Sequence, residues 1–319
     1  MNKNIVVIGL GNFGKWHIYS LKKLKKKYNI YGVEKNITQI KKVKKFISLN
    51  NCLSNITISK NFPRIKQIDL LILSTRSKDR HNLLKKILLN CKVKKIILEK
   101  VVSDNIRNLK KIKKLILKYK VQNSTFVNCP RREWQFYQGI KKKINNQKKL
   151  FIKITGYNWN ISSNLIHVID LCCYILNNNK LKIYKIDFDK RYKIKNKIIS
   201  FGGKFLFKNS KAVIKIEDKI ISNNKKKFII EISYQGKKII VNELKQELYS
   251  FEKNKISKKK ISIINQSLLT AKIANKLLSK KKINLVKFIK SYYQHELVFE
   301  VLNNFHKKFR HIQKSNYIT

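Results

Sequence analysis

Acidic side chains are scarce in this chain: 17 against 74 basic ones in 319 residues, a formal net charge of +57. Proline is scarcer, limited to Pro63 and Pro130, and no proline-, glycine- or serine-rich stretch interrupts the sequence. That argues against a flexible linker. Long apolar runs are missing too. The longest mostly apolar stretch, Asn164 to Leu176, is interrupted by His167 and Asp170. It falls short of the ~20 apolar residues that cross a bilayer, so no membrane insertion is expected. The first residues, MNKNIVVIGLGNFG, have a basic start but run at once into a glycine-rich turn. They lack the apolar region and cleavage site of a secretory signal, which predicts a cytoplasmic protein.

Cysteine supplies neither a disulfide framework nor a zinc pattern. Cys52, Cys91, Cys129, Cys172 and Cys173 are odd in number, contain no CxxC, and include one vicinal pair. Buried or idle thiols are expected, and no metal.

Arginine is the absence that interprets the charge. Only eight of the 74 basic residues are arginine; the other 66 are lysines spread along the whole chain. Nucleic-acid recognition leans on the bidentate guanidinium fork. Lys, Asn and Ile share A/T-rich codons, so one mutational bias accounts for the lysines without a nucleic-acid partner. The surface should still steer anions toward the protein.

What is present is a core. Apolar residues make up 43% of a chain long enough for two modest domains. In residues 1–125, the short apolar runs Ile5–Ile8, Ile30–Val33, Asn55–Ile58, Asp69–Leu73 and Lys95–Leu98 alternate with amphipathic stretches. Those stretches are Gly14–Lys27, Ile37–Leu49, Asp79–Leu89 and Asp104–Tyr119, and a late strand, Thr125–Asn128, closes this half. Strand alternating with helix predicts an α/β, doubly wound parallel sheet.

Residues 126–319 predict an α+β domain with an open, largely antiparallel sheet. A helical patch, Arg132–Ile144, precedes the strand Phe151–Thr155 and an apolar helix, Ser163–Leu176. Hairpins then turn at Asn209-Ser210 and Gln235-Gly236. The lysine-rich run Lys253–Lys260 reads as a solvated loop, and helices over Ser267–Ser279 and Asn284–Phe309 end the chain.

The strongest motif is Gly9-Leu10-Gly11-Asn12-Phe13-Gly14, which follows the first strand directly and opens an amphipathic helix. That context gives a bare GxGxxG its meaning. Gly9 permits the tight turn, Gly11 the approach of a pyrophosphate, and Gly14 close packing of helix on sheet. The helix N-terminus presents N–H groups to the phosphates. Glu34 ends the next strand, twenty residues after Gly14. An acid there accepts from the ribose hydroxyls and favours NAD. Lys35 beside it would tolerate a 2′-phosphate, so NADP stays open.

With these features the sequence resembles the Gfo/Idh/MocA oxidoreductases, named for glucose–fructose oxidoreductase and inositol dehydrogenase. The resemblance is carried by four elements in order. They are the glycine motif; Ser74-Thr75 followed by Arg80, where many members have histidine; Glu99-Lys100-Val101, against the family's Glu-Lys-Pro; and the Asn164–Leu171 segment containing His167 and Asp170. The stretch Val127–Arg132 with Asn158-Trp159 is similar to a subgroup associated with surface-polysaccharide and sugar biosynthesis.

The resemblance implies a nicotinamide cofactor over the Rossmann sheet, near Ser74, Thr75, Arg80, Glu99 and Lys100. It implies a small sugar, polyol or sugar-nucleotide substrate against the second domain, and a homo-oligomer. Lys100 would stabilise the developing alkoxide and His167 would act as general acid or base. Asp170, three residues on, shares a helix face with His167 and would orient it or touch substrate. Arg131 and Arg132 would grip an anionic substituent or merely decorate the surface, Trp159 and Asn158 would line the pocket, and Asn164 would contact substrate. Trp134 and Tyr137 are expected in the core.

Two departures stand out. Val101 replaces the proline, which predicts a trans bond after Lys100, because a cis non-proline bond costs ~2.5–4 kcal/mol. Ser163 stands where many members carry an aspartate, so it supplies no charge to His167. These departures leave a catalytically impaired, regulatory dinucleotide-binding protein as the alternative.

Overall fold

The computed structural model describes residues 2–48, 55–178, 180–195, 198–221, 226–253 and 255–310; Cys52 lies outside them. The chain runs β1 (Asn4–Ile8), α1 (Gly14–Leu21), β2 (Asn29–Val33), α2 (Ile37–Ser48), β3 (Asn55–Ser59), β4 (Gln67–Ile68) and β5 (Leu70–Leu73). It continues α3 (Arg80–Asn90), β6 (Lys92–Val93), β7 (Ile96–Leu98), α4 (Ile106–Lys118) and β8 (Thr125–Val127). Next come α5 (Gln135–Ile144), β9 (Leu150–Tyr157), α6 (Ile161–Leu176), β10 (Lys182–Lys195), β11 (Ile198–Lys208) and β12 (Ala212–Lys219). The chain ends with β13 (Lys227–Tyr234), β14 (Lys237–Asn242), β15 (Glu247–Glu252), β16 (Lys255–Lys260), α7 (Thr270–Leu278), β17 (Val286–Lys287) and α8 (Phe288–Lys308).

The first unit holds a seven-stranded sheet in the order β17-β8-β7-β5-β1-β2-β3, parallel except for β17. β5 and β7, and β1 after Asn4, are apolar along their length because helices cover both faces of such a sheet. The order reverses between β1 and β5. The carboxyl ends of those strands, where open α/β sheets take ligands, carry the glycine turn and Ser74-Thr75. Helix α1 stops at Leu21, six residues before the expected end at Lys27.

The second unit holds an eight-stranded sheet, β10-β11-β12-β9-β13-β14-β15-β16, antiparallel throughout except for β12 with β9. Both expected hairpin turns are found. On β9, β12 and β13 buried residues alternate with half-buried ones, as a sheet with one covered face requires. Fourteen of the sixteen residues of α6 are buried. Phe305 of α8 stacks on Phe201 at 4.4 Å between ring centres and meets Phe188 edge-on.

Three expectations are corrected. Residues Lys255–Lys260 form an edge strand and not a loop, and all six are exposed. Lysines on a sheet edge deter pairing with another chain, so a lysine-rich composition fits a strand there. β8 does not close the first sheet: β17 pairs outside it, where the sequence suggested the start of the last helix. The division into units is also not a single break at residue 125. The first unit comprises Met1–Glu133 and Ile264–Tyr292, and the second Trp134–Ile263 and the chain from Tyr293 onward.

The returning segment is anchored by polar groups that composition cannot pair. Buried Glu133 accepts from Lys276 Nζ at 2.8 Å and from the Asn284 N–H at 2.6 Å. Ser20 of α1 donates to Leu268 O and accepts from the Ala271 N–H.

Candidate dinucleotide site

The turn after β1 is shaped by what its glycines lack. Gly9 has φ +85°, and a Cβ there would lie 2.7 Å from Thr75 N. A Cβ on Gly14 would fall 1.8 Å from Gly9 O, so α1 begins in contact with the turn. Gly11 has nothing within 4 Å of the corresponding point. No side chain caps α1, and Asn12 and Phe13 are exposed. The buried hydroxyls Ser74 Oγ and Thr75 Oγ1, at the end of β5, have no hydrogen-bond partner. An uncapped helix start, open space at Gly11 and two idle hydroxyls fit a pyrophosphate.

Glu34 ends β2 as expected. Its Oε2 accepts from the Leu10 N–H at 2.7 Å and its Oε1 from the Asn36 N–H at 3.1 Å. Gln39 Nε2 donates to Leu10 O. The carboxylate thus braces the glycine turn from the side where an adenosine ribose would lie.

Arg80 is buried, and its guanidinium donates to the carbonyls of Thr75, Glu99 and Val101. Burial lowers its pKa to about 10 against the opposing pull of Glu99. It ties the segment after β5 to the segment after β7. The Lys100–Val101 peptide is cis, which corrects the expected trans bond. The same guanidinium holds the carbonyls on both sides of Lys100, and Val101 is fully buried. These are tertiary constraints that a local proline rule does not contain.

Glu99 is buried and accepts from His17 Nε2 at 2.9 Å and from Asn128 Nδ2. Burial alone would raise its pKa. The His17 hydrogen bond and charge, then Asn128 and Arg80, more than offset that and hold the carboxyl below its ordinary value. Lys100 is lowered from the usual lysine range, first by burial. Arg131 and Arg80 add to the lowering, while Glu99 and Cys129 oppose it. A lysine shifted this way moves toward the pH at which it can exchange a proton. Arg131 is half-buried and Arg132 buried, on the 3-10 turn Pro130–Glu133.

In the second unit, α6 presents the other candidates. His167 and Asp170 are buried. Asn164 Nδ2 donates to Trp159 O at 2.6 Å, and Ser163 Oγ to Asn160 O at 3.4 Å. The Trp159 indole lies on Gly156, where a Cβ would come 2.0 Å from its ring, and it meets Phe228 edge-on. Trp134 and Tyr137 are buried, as expected.

Sequence reasoning missed His17, Asn128, Thr270 and Asp218. His17 had a faint signal, since it shares the sheet-facing side of α1 with Ile18 and Leu21. Asp218 had none. It lies buried on β12, near the start of α6. Burial pushes its carboxyl from 3.8 up to about 7. The backbone N–H groups of Trp159, Ile161 and Lys219 pull it back, though none makes a well-aligned hydrogen bond, and Asp189 adds to the rise. The folded state therefore holds a proton here that the unfolded chain has released. That stabilisation is complete below the ordinary aspartate value and disappears as pH rises through about 7. Asp218→Asn should remove this slope. In urea titrations at pH 8 it should exceed the parent by about 2–4 kcal/mol, and equal slopes would refute the assignment.

Comparison with known proteins supports the fold described above. Residues 3–127 match the family described as oxidoreductase family, NAD-binding Rossmann fold (Gfo/Idh/MocA). A sequence search of curated proteins gives no match. Among solved structures, a dehydrogenase (MviM) from Clostridium difficile is 19% identical, with 95% of this chain and 100% of that one covered and a TM-score of 0.71. UDP-N-acetylglucosamine 3-dehydrogenase from Acidithiobacillus ferrooxidans is 10% identical, covering 94% and 97%, with a TM-score of 0.69. The transcriptional regulator Gal80p from Kluyveromyces lactis is 14% identical, covering 97% and 90%, with a TM-score of 0.71. Residues 3–127 thus match the NAD-binding Rossmann part of that oxidoreductase family, and the chain as a whole shares the fold of these solved structures. Among the described residues, no helix is long and apolar enough to cross a membrane.

Proposed function

We propose that this protein is an NAD(P)-dependent oxidoreductase that moves hydride to or from a CH–OH carbon of a sugar, polyol or sugar nucleotide. The observation that carries the reading is Lys100. It is a half-buried lysine whose pKa is lowered, first by desolvation, at the carboxyl end of β7, in the same unit as the glycine cradle. The nicotinamide supplies the redox chemistry; the protein orients and manages protons. Gly9, Gly11 and Gly14 admit the pyrophosphate, and Ser74 and Thr75 offer hydroxyls to it. Glu34 meets the ribose and favours NAD. Lys100 Nζ donates to the reacting oxygen and exchanges its proton. His167 is the acid–base candidate of the second unit, with Asp170 beside it on α6. Arg131, Arg132, Trp159 and Asn164 are assigned to substrate, and the half-exposed face of the second sheet to pairing with another copy.

The sugar-nucleotide class is supported by the likeness to a UDP-N-acetylglucosamine 3-dehydrogenase. The second reading, a regulatory protein of the same fold, is favoured by the likeness to Gal80p and by Ser163, which brings no charge to the helix of His167.

Thermal shift with NAD and NADP, then absorbance at 340 nm across sugars and UDP-sugars, separates them. Stabilisation by a dinucleotide with turnover is expected. Stabilisation with flat absorbance on every substrate would favour the regulator, and no stabilisation by either dinucleotide would sink both.

A further inference from the structure

Four buried side chains from four separate segments meet behind Lys100. His17 of α1 places Nδ1 2.7 Å from Thr270 Oγ1, the first residue of α7, and Nε2 2.9 Å from Glu99 Oε1. Asn128, just past β8, donates to that same carboxylate oxygen. His17, Thr270, Glu99 and Asn128 are each no more than 8% exposed. An ionised Glu99 has no proton to give, so His17 Nε2–H is the donor. Nδ1, the other ring nitrogen, is paired with the Thr270 hydroxyl, which can donate to it or accept from it. Buried polar atoms keep their partners because losing one leaves another unpaired. Glu99 Oε1 is thereby held by two donors, and Lys100 follows it directly in the chain.

We propose that His17 and Thr270 are positioning residues for Lys100: acting through Glu99, they fix where the end of β7 delivers that ammonium group. Two further features support this. The network starts on α1, the helix that opens on the glycine turn, so the phosphate-binding helix and the Glu99–Lys100 pair share one hydrogen-bonded core. It also recruits the returning C-terminal segment, whose Thr270 lies 253 residues from His17. Among the charged and titratable groups acting on Lys100 are Glu99, Cys129, Arg131 and Arg80. Asn128 and Arg80 stay in place when His17 or Thr270 is changed, so Glu99 remains ionised at neutral and basic pH. With the His17 side of its support loosened, Glu99 can shift toward Lys100, and water can enter behind it. Both changes favour the protonated lysine.

The inference rests on the reading of Lys100 as the residue that meets the substrate, but its test needs neither substrate nor cofactor, so the two can fail separately. Competitive acetylation with acetic anhydride from neutral to basic pH, read by peptide-resolved mass spectrometry, gives the pH at which Lys100 is half-reactive. In Thr270→Val and His17→Leu that midpoint should rise by about half a pH unit or more. Thr270→Ser, which keeps the hydroxyl, should match the parent. So should an exposed reference such as Lys118 in every variant. An unchanged or lowered Lys100 midpoint in Thr270→Val, with or without a fall in Tm, overturns the proposal and leaves the network merely structural. Should His17→Leu fail to fold, Thr270→Val decides alone.

Discussion

Lys100→Met should lower turnover by about 10²- to 10⁴-fold, the usual contribution of a positioned proton-transfer group, while the thermal shift produced by NAD or NADP stays as in the parent. The separation follows from the geometry. In the proposed function the dinucleotide would be held at the ends of β1 and β5 by glycines, backbone N–H groups and hydroxyls, whereas Lys100 follows Glu99 past β7. Methionine keeps most of the stem and removes the charge. Lys100→Arg should fail nearly as badly, because a guanidinium stays protonated and cannot take up a proton. The pH profile supplies the sign. With Lys100 as base in the oxidative direction, the rate rises with pH and levels off below the ordinary lysine value, since its pKa is lowered. As acid in the reductive direction, the rate falls across the same interval. Full turnover in Lys100→Met would move the chemistry elsewhere in the protein.

Gly14→Ala and Gly11→Ala should behave oppositely, although both glycines belong to one motif. A Cβ on Gly14 would meet Gly9 O at 1.8 Å, a backbone atom in a turn that is itself packed on Thr75. Neither side can yield without moving α1 or the end of β5, so a loss of about 2–4 kcal/mol is expected. Dinucleotide binding should be lost with it. At Gly11 nothing lies within 4 Å, and its φ is an ordinary one. The free protein should then keep its stability to within about 0.5 kcal/mol. The added methyl group would still stand in the space a pyrophosphate needs, costing about tenfold or more in affinity. Chemical denaturation with and without NAD measures both terms. An unchanged affinity in Gly11→Ala would mean that the phosphates bind somewhere other than over this turn.

Much of the first unit was legible in advance because its signals are local. A strand of four apolar residues, three glycines at fixed spacing and an amphipathic helix are set by neighbours within about twenty positions, as periodicity and turn chemistry act over that range. Glu34 was legible for the same reason, by its distance from Gly14. The hairpins at Asn209-Ser210 and Gln235-Gly236 were visible because turn residues fall between alternating strands. Lys255–Lys260 misled because hydrophobic alternation is absent from an exposed edge strand. Its pairing comes from the backbone of β15, which side-chain pattern does not report.

The sequence by itself determined a Rossmann unit with its glycine turn, an acid at the end of β2, Lys100 at a strand end and an antiparallel second sheet. Only the tertiary structure decided what surrounds those residues. It brought Thr270 to His17 and Ala271 to Ser20, added β17 to the edge of the first sheet, set Arg80 on three carbonyls around Lys100, and buried Asp218 beside the start of α6. Each of these joins residues far apart in the chain, and each answers the requirement that buried polar groups find partners or shift their charge. That requirement arises only once the chain has folded, which is why no local pattern announces it.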